Sequence, residues 1–259
     1  MLISIRPGPP LEAAIECLWH FCGSDTQTHS RERVLPNGRF QLVLNLAAGA
    51  ATVSGLRLDH VVVDAAVLPC AMGVVFCPGA ATRFFAGSAL DFYGRAVPLA
   101  IAWGDRSRML LDQLGDERSA RRRLAILEAT LANVWRERDG QSRPMPPAVE
   151  HALRAFHSAP GIKTIGNVSR EVGWSRRWLT QSFADSVGMA PKRYCRLLRF
   201  QHVVRRVASG RRIDWAELAI ASGFCDQAHL AHEFRAFSGF TPEGFLRAQR
   251  PFANHVKID

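Results

Sequence analysis

Apolar and polar residues alternate in the first part of the chain and then recur at three- and four-residue intervals. Residues 1 to about 105 read as mostly β. Arg39–Leu46 places Phe40, Leu42, Leu44 and Leu46 on one face of a strand, behind the turn signal Pro36-Asn37-Gly38. Leu56–Val63 and Met72–Phe76 read as further short strands, punctuated by Gly55, Pro69, Pro78 and Gly79. From Ser107 the period becomes helical: Met109-Leu110 with Leu114, then Leu124, Leu127 and Leu131, on either side of Gly115-Asp116. Arg121-Arg122-Arg123, opening the second of these helices, reads as a solvated face. Asp139–Pro147, with Gly140, Pro144 and Pro146, is the clearest linker and predicts uncoupled halves. Pro147 suits the first position of a short helix to about His157, and Ala159-Pro160-Gly161 is a second break.

Beyond that break one pattern is written twice. The first copy is Ser169-x3-Gly173-Trp174, Leu179-x3-Phe183, Gly188, Pro191 and Tyr194. The second is Ala219-x3-Gly223-Phe224, Leu230-x3-Phe234, Gly239, Pro242 and Phe245. The offset is 50 residues up to the glycine and 51 after it, so the second turn holds one extra residue. A small residue four before a glycine lets two helices approach, and the glycine supplies the positive φ that ends the first. An apolar i, i+4 pair then seats the second helix on the core, which is the pattern of a helix-turn-helix. Thr164 and Asp214-x-x-Glu217 are capping signals for the two leading helices. Between the copies, Pro191–Val207 has an apolar face of Tyr194, Leu197, Leu198, Val203, Val204 and Val207. As a helix it spans roughly 25 Å. That is long enough to hold two recognition helices in successive major-groove segments, about 34 Å apart.

Charge sharpens this picture. Net charge is +10, and residues 161–250 hold 15 Lys/Arg against 7 Asp/Glu, whereas residues 1–160 hold 17 against 15. A basic excess confined to the repeated motif points to nucleic acid, because phosphate neutralisation releases counterions. Lys163, Lys192 and Lys257 are the only lysines; the rest is arginine, suited to bidentate contact with phosphate or guanine. No apolar run reaches membrane-span length and no signal-peptide pattern opens the chain, so a soluble, cytoplasmic protein without membrane contact is expected. The six cysteines form no C-x-x-C pair, and free buried thiols are the ordinary reading, although Cys17-x4-Cys22 brackets His20. Phosphate-loop, G-x-S-x-G and H-E-x-x-H motifs are missing, so neither enzyme, cofactor nor metal is expected.

With Leu179 and Phe183 inward, Arg176, Arg177, Thr180 and Gln181 face outward from a helix capped by Ser175. With Leu230 and Phe234 inward, Gln227, His229, His232 and Glu233 face outward from the second helix, Glu233 as a solvated acid. Lys192, Arg193 and Arg196 start the spacer and are candidate phosphate contacts. Trp174, Trp178 and Trp215 read as core or edge packing.

Residues about 160–250 resemble the DNA-binding domain of the AraC/XylS family of bacterial transcription regulators. The resemblance rests on Gly173-Trp174-Ser175, Leu179, Phe183, Gly188, Pro191-x2-Tyr194 and Leu197-Leu198-Arg199. In the second copy it rests on Gly223-Phe224, Gln227, Leu230, Phe234 and Gly239-Phe240-Thr241-Pro242. It implies an all-helical domain of two helix-turn-helix units joined by a long helix, bound to double-stranded operator DNA. It also implies that Arg177, Thr180, Gln181, Gln227 and His229 stand at base-reading positions. Arg31–Gly38 together with Gly73–Phe76, Pro78, Gly79 and Ala80 resembles the N-terminal module of one subgroup, a β-rich effector or dimerisation domain. Partners implied are DNA, a small-molecule effector, a second copy of the chain and, for an activator, RNA polymerase. The family's pattern is broken at Ser169 (usually Ala), at Ala228 and Leu230 (usually Ser and an aromatic) and at His232 (often Arg). The second unit is therefore expected to bind less tightly.

The expected fold is α+β. A β-rich domain, barrel-like or sandwich, with trailing helices occupies 1–138; a linker occupies 139–147; the double helix-turn-helix occupies 148–252. A competing reading is a thiol- or zinc-dependent enzyme fused to the same DNA-binding unit, as in alkylation-repair methyl acceptors. Those need a compact four-thiolate zinc site, and Cys17-x4-Cys22 and Cys70-x6-Cys77 are spaced more loosely than that. A third reading is a dimerisation module without a ligand.

Overall fold

The computed structural model describes residues 2–23, 31–64, 70–139, 144–158, 161, 163–210, 212–248, 250 and 253–258. Of the expected linker, residues 140–143 lie outside this set, as do Ala159 and Pro160 of the second break. Its strands are β1 (Leu2–Ile5), β2 (Ile15–Cys22), β3 (Arg31–Val34), β4 (Gln41–Asn45), β5 (Ala50–Ser54), β6 (Val61–Asp64), β7 (Cys70–Phe76), β8 (Ala96–Pro98) and β9 (His255–Lys257).

Among the described residues, six antiparallel strands form one sheet in the order β1-β2-β7-β4-β5-β8. The alternation read from Phe40 to Leu46 does what period 2 demands: Phe40, Leu42 and Leu44 are buried, and Leu42 and Leu44 pair with Val74 and Met72 of β7. The strand expected over Leu56–Val63 is confined to β6. Gly55 N–H bonds to Arg95 O and Leu56 O accepts from Gly94 N, so this backbone turns back on the Gly94 loop. β2, apolar on both faces, and β5, whose alternation of Ala51 and Val53 with Thr52 and Ser54 is short and alanine-rich, escaped the sequence reading. β9 also escaped it: the C-terminal tail returns to pair with β3 in a second sheet, ordered β6-β3-β9.

The helices that follow are α1 (Leu99–Trp103), α2 (Asp105–Asp116), α3 (Ala120–Arg138), α4 (Pro147–Ser158), α5 (Ile165–Glu171), α6 (Arg176–Val187), α7 (Pro191–Ala208), α8 (Trp215–Ala221), α9 (Gln227–Ser238) and α10 (Pro242–Arg247). Leu110, Leu114, Leu124, Leu127 and Leu131 are buried as their spacing predicts. The arginine run is a partial correction: Arg123 is not merely solvated, since its Nε donates to Leu114 O (2.9 Å) and its Nη1 reaches Cys70 Sγ (3.5 Å).

α5–α6 and α8–α9 are the two copies of the repeat. Gly173 and Gly223, in the two turns, adopt φ of +70° and +78°. Cys225 is the extra residue of the second turn, standing between Phe224 and the cap Asp226. α7 crosses both units with Tyr194, Leu197, Leu198, Val203, Val204 and Val207 buried.

The two halves are in contact. The turn before β4 lies against the middle of α7, where the buried Gln201 donates to Pro36 O (2.7 Å) and to Asn254 Oδ1 (3.0 Å). Leu35 N–H bonds to Asn254 O (2.8 Å).

Candidate nucleic-acid interface

Each recognition helix starts with a built cap. Ser175 Oγ accepts from Trp178 N (3.2 Å) and Asp226 Oδ1 from His229 N (2.7 Å), filling donors that a helix leaves open at its first turn. Each ends at a left-handed glycine, Gly188 or Gly239, and each next helix begins with proline, Pro191 or Pro242. The first turns are thereby held alike in the two copies. Arg176, Arg177, Trp178 and Gln181 of α6 are exposed and Thr180 is half-buried; Gln227 and His232 of α9 are exposed and His229 is half-buried.

Several of these side chains have a set orientation. Cys225 N–H donates to His229 Nδ1 (3.3 Å), so the neutral ring carries its proton on Nε2 and presents a donor. Gln181 Nε2 donates to Asp185 Oδ1 (3.0 Å), one turn along the helix. No acidic side chain among the described residues pairs with Arg176, Arg177 or Lys192. The other spacer arginines are engaged: Arg193 lies over the Tyr93 ring (5.6 Å) and Arg196 grips Glu233 through two bonds of 2.8 Å. Arg199 Nη1 donates to Gly223 O (2.9 Å), tying α7 to the second turn.

Glu233 corrects the reading from sequence. It is buried, 9% exposed, and turned toward α7 rather than solvated. Its hydrogen bonds from Arg196 hold its carboxyl below the usual range, against the opposing effect of burial. Trp178, 41% exposed, takes the edge-packing role expected of it, its ring set edge-on against Trp174. Trp174 and Trp215 pack against the core as expected.

The cysteines do not converge into a four-thiolate site. Cys17 and Cys22 lie an odd number of residues apart on β2 and so point to opposite faces; Cys22 pairs across the sheet with Cys70. Among the described residues no three His, Cys, Asp or Glu side chains form a group fit to hold a metal. Burial pushes the Cys17, Cys70 and Cys77 thiols up, away from nucleophilic thiolates.

Two capped, similarly built helix pairs on a shared long helix define a double helix-turn-helix DNA-binding domain. Residues 168–248 match the family model described as a helix-turn-helix domain, and residues 3–98 match a domain of unknown function (DUF6597). The chain carries the AraC-type domain of DNA-binding transcription regulators, joined to a β-rich N-terminal domain.

Solved structures similar to it include ToxT from Vibrio cholerae (7% identity, 95% of this chain and 97% of that chain, TM-score 0.45). A probable AraC family transcriptional regulator from Rhodopseudomonas palustris is 23% identical over 39% of this chain and 96% of its own (TM-score 0.36). A transcriptional regulator with an AraC-type DNA-binding domain from Chromobacterium violaceum is 21% identical over 39% and 89% (TM-score 0.36). No curated protein matches the chain significantly. No helix among the described residues is long and apolar enough to cross a membrane.

Proposed function

We propose that the two helix-turn-helix units read successive major-groove segments on one face of operator DNA, in the cytoplasm, and that the N-terminal domain regulates this reading. The observation that carries the proposal is the matched exposure of the two capped helix starts. Arg176, Arg177, Thr180 and Gln181 serve one segment and Gln227, His229 and His232 the other. Arginine bidentate to guanine and glutamine to adenine is the chemistry these side chains bring. His229 offers a single Nε2–H, against the paired donors of an arginine in the first unit, so the second unit contributes less. Lys192 and Arg193, exposed at the start of the spacer, supply phosphate contacts, whereas Arg196, expected from sequence to join them, is committed to the buried Glu233.

Regulation by the N-terminal half follows from a second copy or a small effector. The crevice lined by Phe40, Ala81, Phe85 and Phe92 has no room for a water-sized molecule and so offers no space for an enclosed ligand. Ile101 and Met109, 76% and 60% exposed on α1 and α2, offer apolar surface for a homodimer. RNA polymerase is the further partner if the regulator activates. In this reading the chain is a binding protein and not a catalyst.

The test is selection of the full-length chain on a pool of random-sequence duplexes, followed by titration of the selected site against salt. Enrichment of one bipartite motif is expected. With about five phosphates neutralised, the log–log salt slope should be about −4 to −5. Equal affinity for every duplex at moderate salt, or a slope near zero, overturns the reading.

A further inference from the structure

The Arg31–Gly38 segment stands out in the sequence, yet nothing in the DNA-reading surface uses it. Its side chains and backbone instead meet the helical half. The recognition helices are touched by the N-terminal domain at the same structural position in both copies, their C-terminal ends.

At the end of α6, Ser88 Oγ lies within hydrogen-bond reach of Asp185 Oδ1 (3.2 Å) and of Asp185 O (3.3 Å). At the end of α9, Arg33 Nη1 donates to Ser238 O (3.2 Å), and the Nδ1–H of His60 donates to Phe237 O (3.3 Å). Arg33 also stacks on Phe240, 4.5 Å from the ring centroid. A cation on the last carbonyls of a helix opposes the negative end of its dipole, so Arg33 binds where α9 most favours it.

The capping glycines make the equivalence concrete. A Cβ on Gly188 would come within 2.9 Å of Ala89 O and of the Phe40 ring, and one on Gly239 would run into Arg33 Nη1. The backbone of each recognition helix thus passes closely over the N-terminal domain just where it ends. The opposite ends, with Arg176, Arg177 and Gln227, stay exposed. The contact grips without covering the reading surface.

The α6 contact continues to a base-reading side chain. Asp185 Oδ1, held by Ser88, is the atom that accepts from Gln181 Nε2. Ser88 of one domain therefore steadies the carboxamide of a candidate base-reading residue in the other.

We propose that Arg33, His60 and Ser88 are positioning residues for DNA reading. They make the N-terminal domain a brace that bridges the two recognition helices at equivalent points and fixes their separation. The braced chain reads its two half-sites at one spacing. This rests on the proposed reading of two groove segments. The alternative is that α7 alone sets the separation and the N-terminal domain is a passenger on it.

The experiment compares full-length wild type, Ser88→Ala, Arg33→Met and the double variant in the random-duplex selection, scoring half-site sequence and half-site spacing separately. Arg33→Met keeps the apolar stem and removes the donors. The expected result is unchanged half-site sequences with spacing spread over several values. Preference for the single wild-type spacing should fall on the order of ten-fold in the double variant, the equivalent of one lost charged hydrogen bond. Identical spacing profiles in wild type and folded variants overturn the brace and leave α7 as the ruler.

A wild-type chain that selects no motif overturns the DNA reading itself, which distinguishes the two failures. If the double variant does not fold, Ser88→Ala decides alone, since it removes a single half-buried hydroxyl, the one that bonds Asp185 and accepts from Leu90 N. A probe-to-probe distance measured without DNA between labels at positions 181 and 232 gives a second readout. Broadening in Ser88→Ala supports the brace and an unchanged narrow distribution overturns it.

Discussion

At the scale of the residue, what was legible is what a single helix dictates. Leu179 and Phe183 had to face inward, so Arg176, Arg177 and Gln181 had to face out, and they do. Glu233 was misread because its partner lies on another helix: Arg196 is 37 residues away, and no local period announces the pair. That pair predicts its own cost. Arg196→Met leaves a largely buried carboxylate without its two donors and should destabilise the protein by about 2 kcal/mol, whereas Glu233→Gln, which keeps one bond, should cost about 1 kcal/mol. Urea unfolding of both variants checks this, and equal losses near zero would show the pair to be incidental. The reading side chains predict a different contrast. Arg177→Ala should relax base preference in one half-site, and Gln227→Ala in the other, each with a loss of about 1–3 kcal/mol. Lys192→Ala should weaken every duplex alike and flatten the salt slope by about one. If Arg177→Ala and Lys192→Ala gave the same uniform loss, the assignment of roles would be wrong.

At the scale of the element, the repeat was legible because caps, turns and apolar pairs are all local. Ser175, Thr164 and Asp214 cap where the sequence placed them, and the spacer runs Pro191–Ala208 against an expected Pro191–Val207. The strands were harder. β2 buries Leu18 and His20 in period 2, but a register shift between Ile15 and Cys17 interrupts the pattern, and Trp19 and Phe21 on the other face are as apolar as the buried side chains. β9 is three residues long and exists only because β3 offers an edge, which no window of its own sequence could reveal. The caps give the prediction at this scale. Ser175→Ala and Asp226→Ala each remove the acceptor for one first-turn N–H and should each cost about 1 kcal/mol of stability. Because the proposed reading residues Arg176, Arg177, Gln227 and His229 sit on those same first turns, each variant should weaken DNA binding in its own half-site only. Loss spread evenly over both half-sites would mean that the caps hold the whole domain and not the turn.

At the scale of the whole molecule, the Pro/Gly-rich stretch read as an uncoupling linker, but contacts between distant segments tie the halves together: Gln201 to Pro36, Arg33 to Ser238, β9 to β3. One cooperative thermal transition is therefore expected, and two well-separated transitions by calorimetry would restore the uncoupled picture. The pH at which that transition weakens follows from the histidines. Burial lowers His20, His60, His157 and His202, with neighbouring arginines adding to it: Arg123 at His20, Arg33 at His60, Arg39 and Arg205 at His157, Arg205 and Arg206 at His202. His157 is lowered to about 4; part of its ring reaches solvent, but Nε2 is turned onto the buried Tyr194 hydroxyl, 2.9 Å away. In each case the folded value lies below the unfolded one. The unfolded chain then binds protons that the folded chain refuses, so stability must fall as pH drops through about 6.5, continuing to about 4 for His157. Below that, protonation of Glu233, lowered by Arg196, removes stability in its turn. The check is the midpoint of thermal unfolding between pH 8 and pH 4 in wild type and His157→Gln. Glutamine can still bond the Tyr194 hydroxyl but cannot take up a proton, so its curve should be flatter between about pH 6.5 and 4. A variant that loses stability as steeply as wild type over that window would place the acid sensitivity elsewhere.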